Sequence, residues 1–224
     1  MAVLHLGSGS SDLSNRLREL LSSSNYQDNS RDTPGSAIVL NVDFAAAAIE
    51  IGRRREREEF GDDTHAESMR WAVVDILNWT AFKRACDEHC GKGKKFKLIV
   101  EKSCTDALAC GADIHLGPFA TDEPDGPGAL VPQELHSQLF SPEAAVAIYL
   151  AAVTQSGGAW IALSYSAERF DFLRESKQPA GALWSVEKVQ RVVANDSRVD
   201  VGHGGTVYRP EIVHFVYTIR RNVY

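Results

Sequence analysis

The sequence lacks the features that mark membrane-spanning, exported and nucleic-acid-coating proteins. No apolar run in its 224 residues approaches the roughly 18 residues that a membrane helix requires. The opening stretch MAVLHLGSGS has no basic region and no cleavage site, so we expect no signal peptide and a cytoplasmic location. A net charge of −6 disfavours non-specific binding to nucleic acid. We therefore expect neither nucleic acid nor membrane among the partners.

Cysteine is sparse and is not arranged as a disulfide framework. The four cysteines are Cys86, Cys90, Cys104 and Cys110, and their spacing predicts free thiols in a reducing compartment. His89 shares one helical face with Cys86 and Cys90, but no C-x-x-C pair accompanies them. We expect no metal site.

Internal repeats are absent too, and apolar strand-like segments alternate with helical ones along the chain. Near-continuous apolar strands joined by helices are typical of a doubly wound parallel sheet. We predict one α/β domain over 1–224, with a Rossmann-like, seven-stranded, mostly parallel sheet and an antiparallel edge strand. An irregular region at about 103–140 is predicted to form a loop over the substrate site.

The residues that follow the first three predicted strands form a candidate ligand site. Ligands of open α/β sheets bind at the carboxyl ends of the strands. Gly7 and Gly9 follow the first strand and lack a Cβ, so the backbone can approach a ligand closely. Asp43 ends the second strand and can accept both hydrogen bonds of a ribose diol. Asp75 follows the third and can accept one from a purine amine.

Asp12 helps to distinguish between two nucleotide-like ligands for this site, a dinucleotide and a sulfonium nucleoside. A dinucleotide enzyme has a third glycine at this position, where an acid at the helix start would repel the pyrophosphate. A sulfonium nucleoside has no phosphate and tolerates the acid, which favours S-adenosylmethionine. A nicotinamide oxidoreductase is the less favoured hypothesis.

Motifs along almost the whole chain carry a family resemblance. They are VLHLGSGSSDLS, LNVDFAAAAIE, WAVVDIL, LIVEKSCTDAL, GGAWIALSYSAERFDFL and HFVYTIRR. They resemble class I S-adenosylmethionine-dependent methyltransferases, and more closely the branch of the elongation-factor-1A lysine methyltransferases and their fungal relatives. The piece EKSCTDAL, similar to that branch's signature DKGTLDAL, is the most specific.

The resemblance implies a role for residues at every strand end. The implied cofactor contacts are Leu6, Gly7, Ser8 and Gly9 at the first loop, Asp43 and Phe44 at the ribose, Asp75 and Ile76 at the adenine, and Glu101. The candidate catalytic residues are Glu101, Lys102 and Asp106, of which Glu101 or Asp106 could assist proton removal from the acceptor. Glu101 stands where the family has aspartate, and Ser103 where it has glycine.

The predicted function is methyl transfer from S-adenosylmethionine to a protein lysine or to a small-molecule nucleophile. The resemblance implies the lysine, whereas a metabolite with a hydroxyl, amine or thiol is the rival acceptor. Family members carry an aromatic segment before the first motif that helps to cover the cofactor, and this sequence does not show one. The alternative hypothesis is therefore a non-catalytic, methyltransferase-like binding module.

Overall fold

The computed structural model describes residues 1–22, 37–61, 69–116, 126–135, 137–175, 178–193 and 212–223. The strands are β1 (Ala2–Leu6), β2 (Ile38–Asp43), β3 (Met69–Val73), β4 (Phe96–Lys102), β5 (Ile114–His115), β6 (Leu139–Phe140), β7 (Thr154–Ser164), β8 (Trp184–Val193) and β9 (Val213–Arg221). The helices are α1 (Leu13–Ser22), α2 (Ala46–Phe60), α3 (Trp79–Cys90), α4 (Cys104–Leu108), α5 (Pro127–Leu130), α6 (Pro142–Val153) and α7 (Pro179–Leu183).

Seven of these strands form one sheet in the order β3-β2-β1-β4-β7-β9-β8. The first five in that order run parallel, and β9 pairs antiparallel with both β7 and the edge strand β8. The predicted seven-stranded, mostly parallel sheet with an antiparallel pair at its edge is confirmed. The order reverses between β1 and β4, so their carboxyl ends flank the crevice where such sheets bind ligands.

Both faces of the sheet are covered, which explains why its central strands are apolar at successive positions. Leu4 and Leu6 of β1 face the larger cluster, together with α3 and α6. Val3 faces the smaller cluster with Leu17 of α1 and Ile49 of α2. Because side chains alternate along a strand, a sheet covered twice needs apolar residues in both phases.

The larger cluster is built around a fully buried helix and a group of aromatic rings. Every residue of α6 from Ala144 to Val153 is buried. Trp160 of β7 packs edge-on against Phe170 and Trp184, with ring centroids 5.1 and 5.5 Å apart. Nε1 of Trp184 donates to the carbonyl oxygen of Ala147 (2.8 Å), which joins the second half of the sheet to α6.

Three segments differ from the sequence prediction. The sequence AERFDFLRES predicts a short helix, but the regular part of this segment is a single 3-10 helix at Asp171–Arg174. The irregular region contains α4, and α7 precedes β8 where no helix was expected. All three are too short to show a helical period, and burial of Thr105, Leu173 and Leu183 holds them in place. Residues 117–125 and 136 of the predicted lid loop lie outside the described residues.

Gly52 lets α2 approach β3. A Cβ at this position would lie 2.2 Å from Cζ3 of Trp71. The indole is fixed by its hydrogen bond to Glu56 (2.7 Å) and cannot turn away freely. We expect Gly52→Ala to lower the free energy of unfolding by about 1–2 kcal/mol in urea denaturation, since overpacking outweighs alanine's helix propensity. In a Trp71→Leu background the penalty should vanish; a penalty that persists there would contradict the assigned clash.

Candidate active site

A tight loop joins β1 to α1 and depends on two glycines. Gly7 and Gly9 have φ angles of +59° and +55°, in the left-handed region that favours glycine. A Cβ at Gly7 would lie 2.7 Å from both Cβ and Sγ of Cys104. A Cβ at Gly9 would meet no atom closer than 3.9 Å, so that side of the loop is open. The loop is thus pressed on α4 at Gly7 and accessible at Gly9.

Asp43 holds this loop from the end of β2. One carboxylate oxygen accepts a hydrogen bond from the Gly9 amide (2.8 Å) and the other from the Ala45 amide (2.9 Å). The residue is 9% exposed. Each carboxylate oxygen has two lone-pair directions, so Asp43 can accept further hydrogen bonds from a ligand while it fixes the loop.

The ends of β2 and β3 bring the next predicted residues beside Asp43. Asp43 pairs in register with Val73, and the Val74 amide donates to the Asp43 carbonyl oxygen (2.8 Å). Phe44 and Val73 are 81% and 53% exposed, which is unusual for apolar residues of this size beside a polar group. Asp75 is exposed, and one of its oxygens accepts from the Leu77 amide (2.9 Å).

Ile76 and Leu6 are buried in the core beneath this surface. They support the strand ends rather than present a free side chain. The described residues therefore place a carboxylate, an open loop and exposed apolar surface at the ends of three adjacent strands.

Glu101 of β4 is buried under the start of α4. Its two oxygens accept from the amide (2.8 Å) and the hydroxyl (2.6 Å) of Thr105. It is 1% exposed, and burial raises its pKa to about 7 against the opposing hydrogen bonds from Thr105. Glu101 thus positions α4, while the neighbouring Lys102 is exposed. A direct role of either residue in proton transfer stays a prediction.

Asp106 joins α4 to the end of β7. One oxygen accepts from the Ser164 hydroxyl (2.6 Å) and from Nε of Arg169 (2.8 Å), and the other from the Tyr165 amide (3.1 Å). Although burial acts to raise it, these hydrogen bonds and the Arg169 charge lower the pKa of Asp106. A carboxylate with so many donors is a weak base, so its geometry favours a positioning role.

Ser103 is a feature that the strand-end reasoning did not find. It has φ of +59° in the left-handed region, and it occupies the position where the family signature has glycine. Its hydroxyl oxygen and that of Ser8 are buried and have no hydrogen-bond partner among the described residues. Buried hydroxyls are ordinarily bonded. Two unpartnered hydroxyls close to the glycine loop therefore fit a polar ligand.

Replacing Ser103 by glycine is expected to raise the free energy of unfolding by about 1 kcal/mol. Relief of left-handed strain, about 1–2 kcal/mol, exceeds the added chain entropy of glycine, about 0.5–1 kcal/mol. Urea denaturation of the wild type, Ser103→Gly and Ser103→Ala checks this. Ser103→Ala removes the hydroxyl and keeps the strain, so an equal gain from alanine would show that strain is not the cause.

Two other clusters lie away from the strand ends. A cavity of about 330 Å³ between α1 and α2 is lined by the charged and polar side chains Asp12, Asn15, Arg16, Arg55, Glu58 and Glu59. It contains none of the predicted cofactor contacts. Cys86 and Cys90 are buried in α3, and burial raises the pKa of Cys90 to about 11.

Among the described residues, no group of three or more histidine, cysteine or acidic side chains could hold a metal ion. In the same part of the chain, no helix is both long enough and apolar enough to cross a membrane.

Comparisons with known proteins find a likeness in sequence to one methyltransferase and likenesses in fold to solved structures. No family model matches the chain. It is 28% identical, over 97% of its length, to Methyltransferase srdJ of Neurospora crassa, and it spans 65% of that relative. One solved structure comes from a study of the conversion of a disulfide bond into a thioacetal group during echinomycin biosynthesis. It aligns with 99% of this chain and over 76% of its own length, with a TM-score of 0.53 and 13% sequence identity. The solved structure of a proposed methyltransferase from Thermoplasma acidophilum aligns with 99% of this chain and over 68% of its own length. The TM-score is 0.52 and the sequence identity is 12%.

The structural likeness establishes the Rossmann-like methyltransferase fold. The Neurospora relative adds a likeness in sequence to a methyltransferase over nearly the whole chain. None of the three proteins distinguishes the lysine methyltransferase branch from the rest of the class.

Proposed function

We propose that this chain is an S-adenosylmethionine-dependent methyltransferase. The observation that carries the proposal is the Asp43 carboxylate, which fixes the Gly9 amide at 2.8 Å and stands at the junction of the first two strand ends. The fold and the methyltransferase relative support both the enzyme class and the cofactor. The elongation-factor branch is proposed on the sequence motifs alone.

The residues present fit the cofactor. Asp43 would accept hydrogen bonds from the ribose hydroxyls, and the backbone at Gly7 and Gly9 would face the methionine portion. Exposed Phe44 and Val73 would contact the adenine, with Asp75 accepting from its amine. When bound, S-adenosylmethionine supplies a methyl group carried on a positively charged sulfur.

Asp12 favours this ligand over a dinucleotide. It immediately precedes α1, and its side chain is 73% exposed and paired with Arg55 at 3.0 Å. A pyrophosphate bound at the start of α1 would meet this carboxylate. A sulfonium nucleoside brings positive charge instead, so the same acid is not repulsive.

The chain's contribution to the transfer is mainly positional. The glycine loop, α4 and the ends of β4 and β7 are joined by the contacts of Gly7 with Cys104 and of Asp106 with Tyr165. A rigid frame of this kind lowers the entropic cost of aligning acceptor and methyl group. The acceptor itself, a protein lysine or a small-molecule nucleophile, would approach over α4 and the end of β7.

Calorimetric titration of the purified chain with S-adenosylhomocysteine tests the proposal, with NAD as the matched control. We expect micromolar binding of the sulfur nucleoside and none of NAD. Binding of NAD alone would replace this proposal by the oxidoreductase hypothesis. Binding without turnover on any acceptor would favour the binding-module alternative.

A further inference from the structure

An exposed tyrosine ring lies against a half-buried imidazole at the carboxyl end of β7. Tyr165 directly follows this strand and is 57% exposed. Its ring meets the imidazole of His214 with centroids 4.6 Å apart and a tilt of 44°. The antiparallel register of β7 and β9, which pairs Ser164 with Phe215, brings the two residues together. We call Tyr165 and His214 the ring pair.

The backbone beneath the ring pair is rigidly held. The Tyr165 amide donates to Asp106, and the same carboxylate accepts from Ser164 and Arg169. Single exposed aromatic residues are common and need no explanation. This one differs because its backbone amide bonds to a carboxylate that two other side chains also hold, and because a second ring lies against it.

The ring pair lies on the acceptor side of the proposed cofactor site. The Ser103 amide donates to the Leu163 carbonyl oxygen (2.8 Å), two residues before Tyr165. Next to Ser103, Cys104 contacts Gly7 of the cofactor loop. Ser103 and Cys104 therefore stand between the glycine loop and the end of β7 that carries the ring pair.

We propose that the ring pair is the specificity-determining surface for the methyl acceptor, and that the acceptor is a planar, conjugated small molecule. The inference rests on the proposed function and adds the substrate class to it. Flat rings stack on aromatic side chains in offset or edge-on geometry, and such contacts contribute about 0.5–1.5 kcal/mol beyond area burial. An exposed tyrosine ring that lies against a half-buried imidazole beside the proposed transfer site is suited to that contact.

The charges around the ring pair disfavour a lysine side chain as the acceptor. The Asp106 carboxylate is already bonded to three donors, and Glu101 is buried and bonded to Thr105. Lys102 is exposed at the end of the neighbouring strand and would repel an ammonium group. The exposed Glu168, in the following turn, is in solvent, where a single carboxylate attracts weakly.

The experiment uses the full chain saturated with S-adenosylhomocysteine and two probes of matched size, 2-naphthol and decahydro-2-naphthol. We expect the planar probe to bind at least fivefold more tightly in calorimetry. Tyr165→Ala should weaken 2-naphthol binding by about 2- to 10-fold, the equivalent of one stacking contact. Tyr165→Phe and His214→Phe keep a ring and should retain the affinity, whereas His214→Ala should not. The control is Leu20→Ala, an exposed apolar side chain of α1 that is 65% exposed and lies outside both the ring pair and the predicted substrate loop.

The two levels of the inference fail in different ways. Failure of the wild type to bind S-adenosylhomocysteine would refute the proposed function, whatever the affinities of the two probes. Intact cofactor binding with equal affinity for both probes, or with no effect of Tyr165→Ala, would overturn the ring-pair proposal. Binding of the peptide acetyl-Gly-Lys-Gly-amide that Tyr165→Ala weakens, with no binding of 2-naphthol, would assign this surface to a protein lysine instead.

Discussion

Replacing Asp43 by alanine is expected to weaken S-adenosylhomocysteine binding by about 10- to 100-fold, because each lost hydrogen bond to a charged group contributes about 1.5–3 kcal/mol. Its carboxylate accepts a hydrogen bond from the Gly9 amide of the glycine loop at 2.8 Å. The variant also leaves the Gly9 and Ala45 amides without their acceptor. We therefore expect a loss of stability of about 1–3 kcal/mol for each amide that stays buried. Calorimetry gives the affinity and urea denaturation the stability.

The substitution Asp43→Asn separates the loss of S-adenosylhomocysteine affinity from the loss of stability. The amide keeps one acceptor oxygen for the loop but places a donor where the second ribose hydroxyl needs an acceptor. We expect the affinity of Asp43→Asn to fall nearly as far as in Asp43→Ala, with a smaller loss of stability. Asp12→Asn is the matched control, since this acid is exposed and bonded only at the outer side of the loop by Arg55. An effect of Asp12→Asn as large as that of Asp43→Asn would contradict the assignment of Asp43 to the ribose.

The strands were predictable because each one carries its signal locally. β1, β2 and β4 are apolar in both side-chain phases, and that pattern requires a sheet covered on both faces. The rule that ligands bind beyond strand ends then singled out Gly7, Gly9 and Asp43 without any knowledge of their contacts. The structure joins two of these residues directly, since the Gly9 amide donates to the Asp43 carboxylate.

Contacts between segments distant in sequence were not predictable in this way. The pairing of Tyr165 with His214 depends on the register of β7 against β9, which no local pattern encodes. The ion pair of Asp106 with Arg169 likewise depends on where α4 packs. The structure adds that three donors bond to the Asp106 carboxylate and that its pKa is lowered, while its predicted role as a proton acceptor stays a prediction.

Ser103 shows a signal that was present in the sequence but was interpreted only as a departure. The family signature has glycine at this position, and glycine there indicates a left-handed residue. The structure has that conformation, with φ of +59°. Ser103 therefore adopts the left-handed conformation although it is not glycine, the residue that this conformation favours.

The stability of the wild type should change little between pH 4.5 and 6.5, because two buried groups have opposite effects. His5 is fully buried, with Nδ1 2.8 Å from the Ser14 hydroxyl and 3.1 Å from Oδ1 of Asn41. Burial lowers its pKa from 6.5 to about 4. The contribution of neutral His5 to the free energy of unfolding is complete above pH 6.5. It is lost as the pH falls toward 4, since the unfolded chain binds the proton at a higher pH than the native state does.

Glu101 has the opposite sign. Burial raises its pKa from 4.5 to about 7. The native state keeps the proton that the unfolded chain releases, so stability is greatest below pH 4.5 and is lost as the pH rises to 7. Each group alone gives a slope of at most about 1.4 kcal/mol per pH unit, or about 2–3 kcal/mol over the shared window.

Single substitutions should therefore expose slopes that the wild type conceals. In Glu101→Gln we expect the free energy of unfolding to rise by about 2–3 kcal/mol from pH 4.5 to 6.5, leaving the His5 effect alone. In His5→Asn it should fall by about the same amount, leaving the Glu101 effect alone. Urea denaturation of the wild type, both variants and the double variant at four pH values across this window measures the slopes. A common slope in all four proteins would show that neither group titrates in the buried environment that the fold gives it.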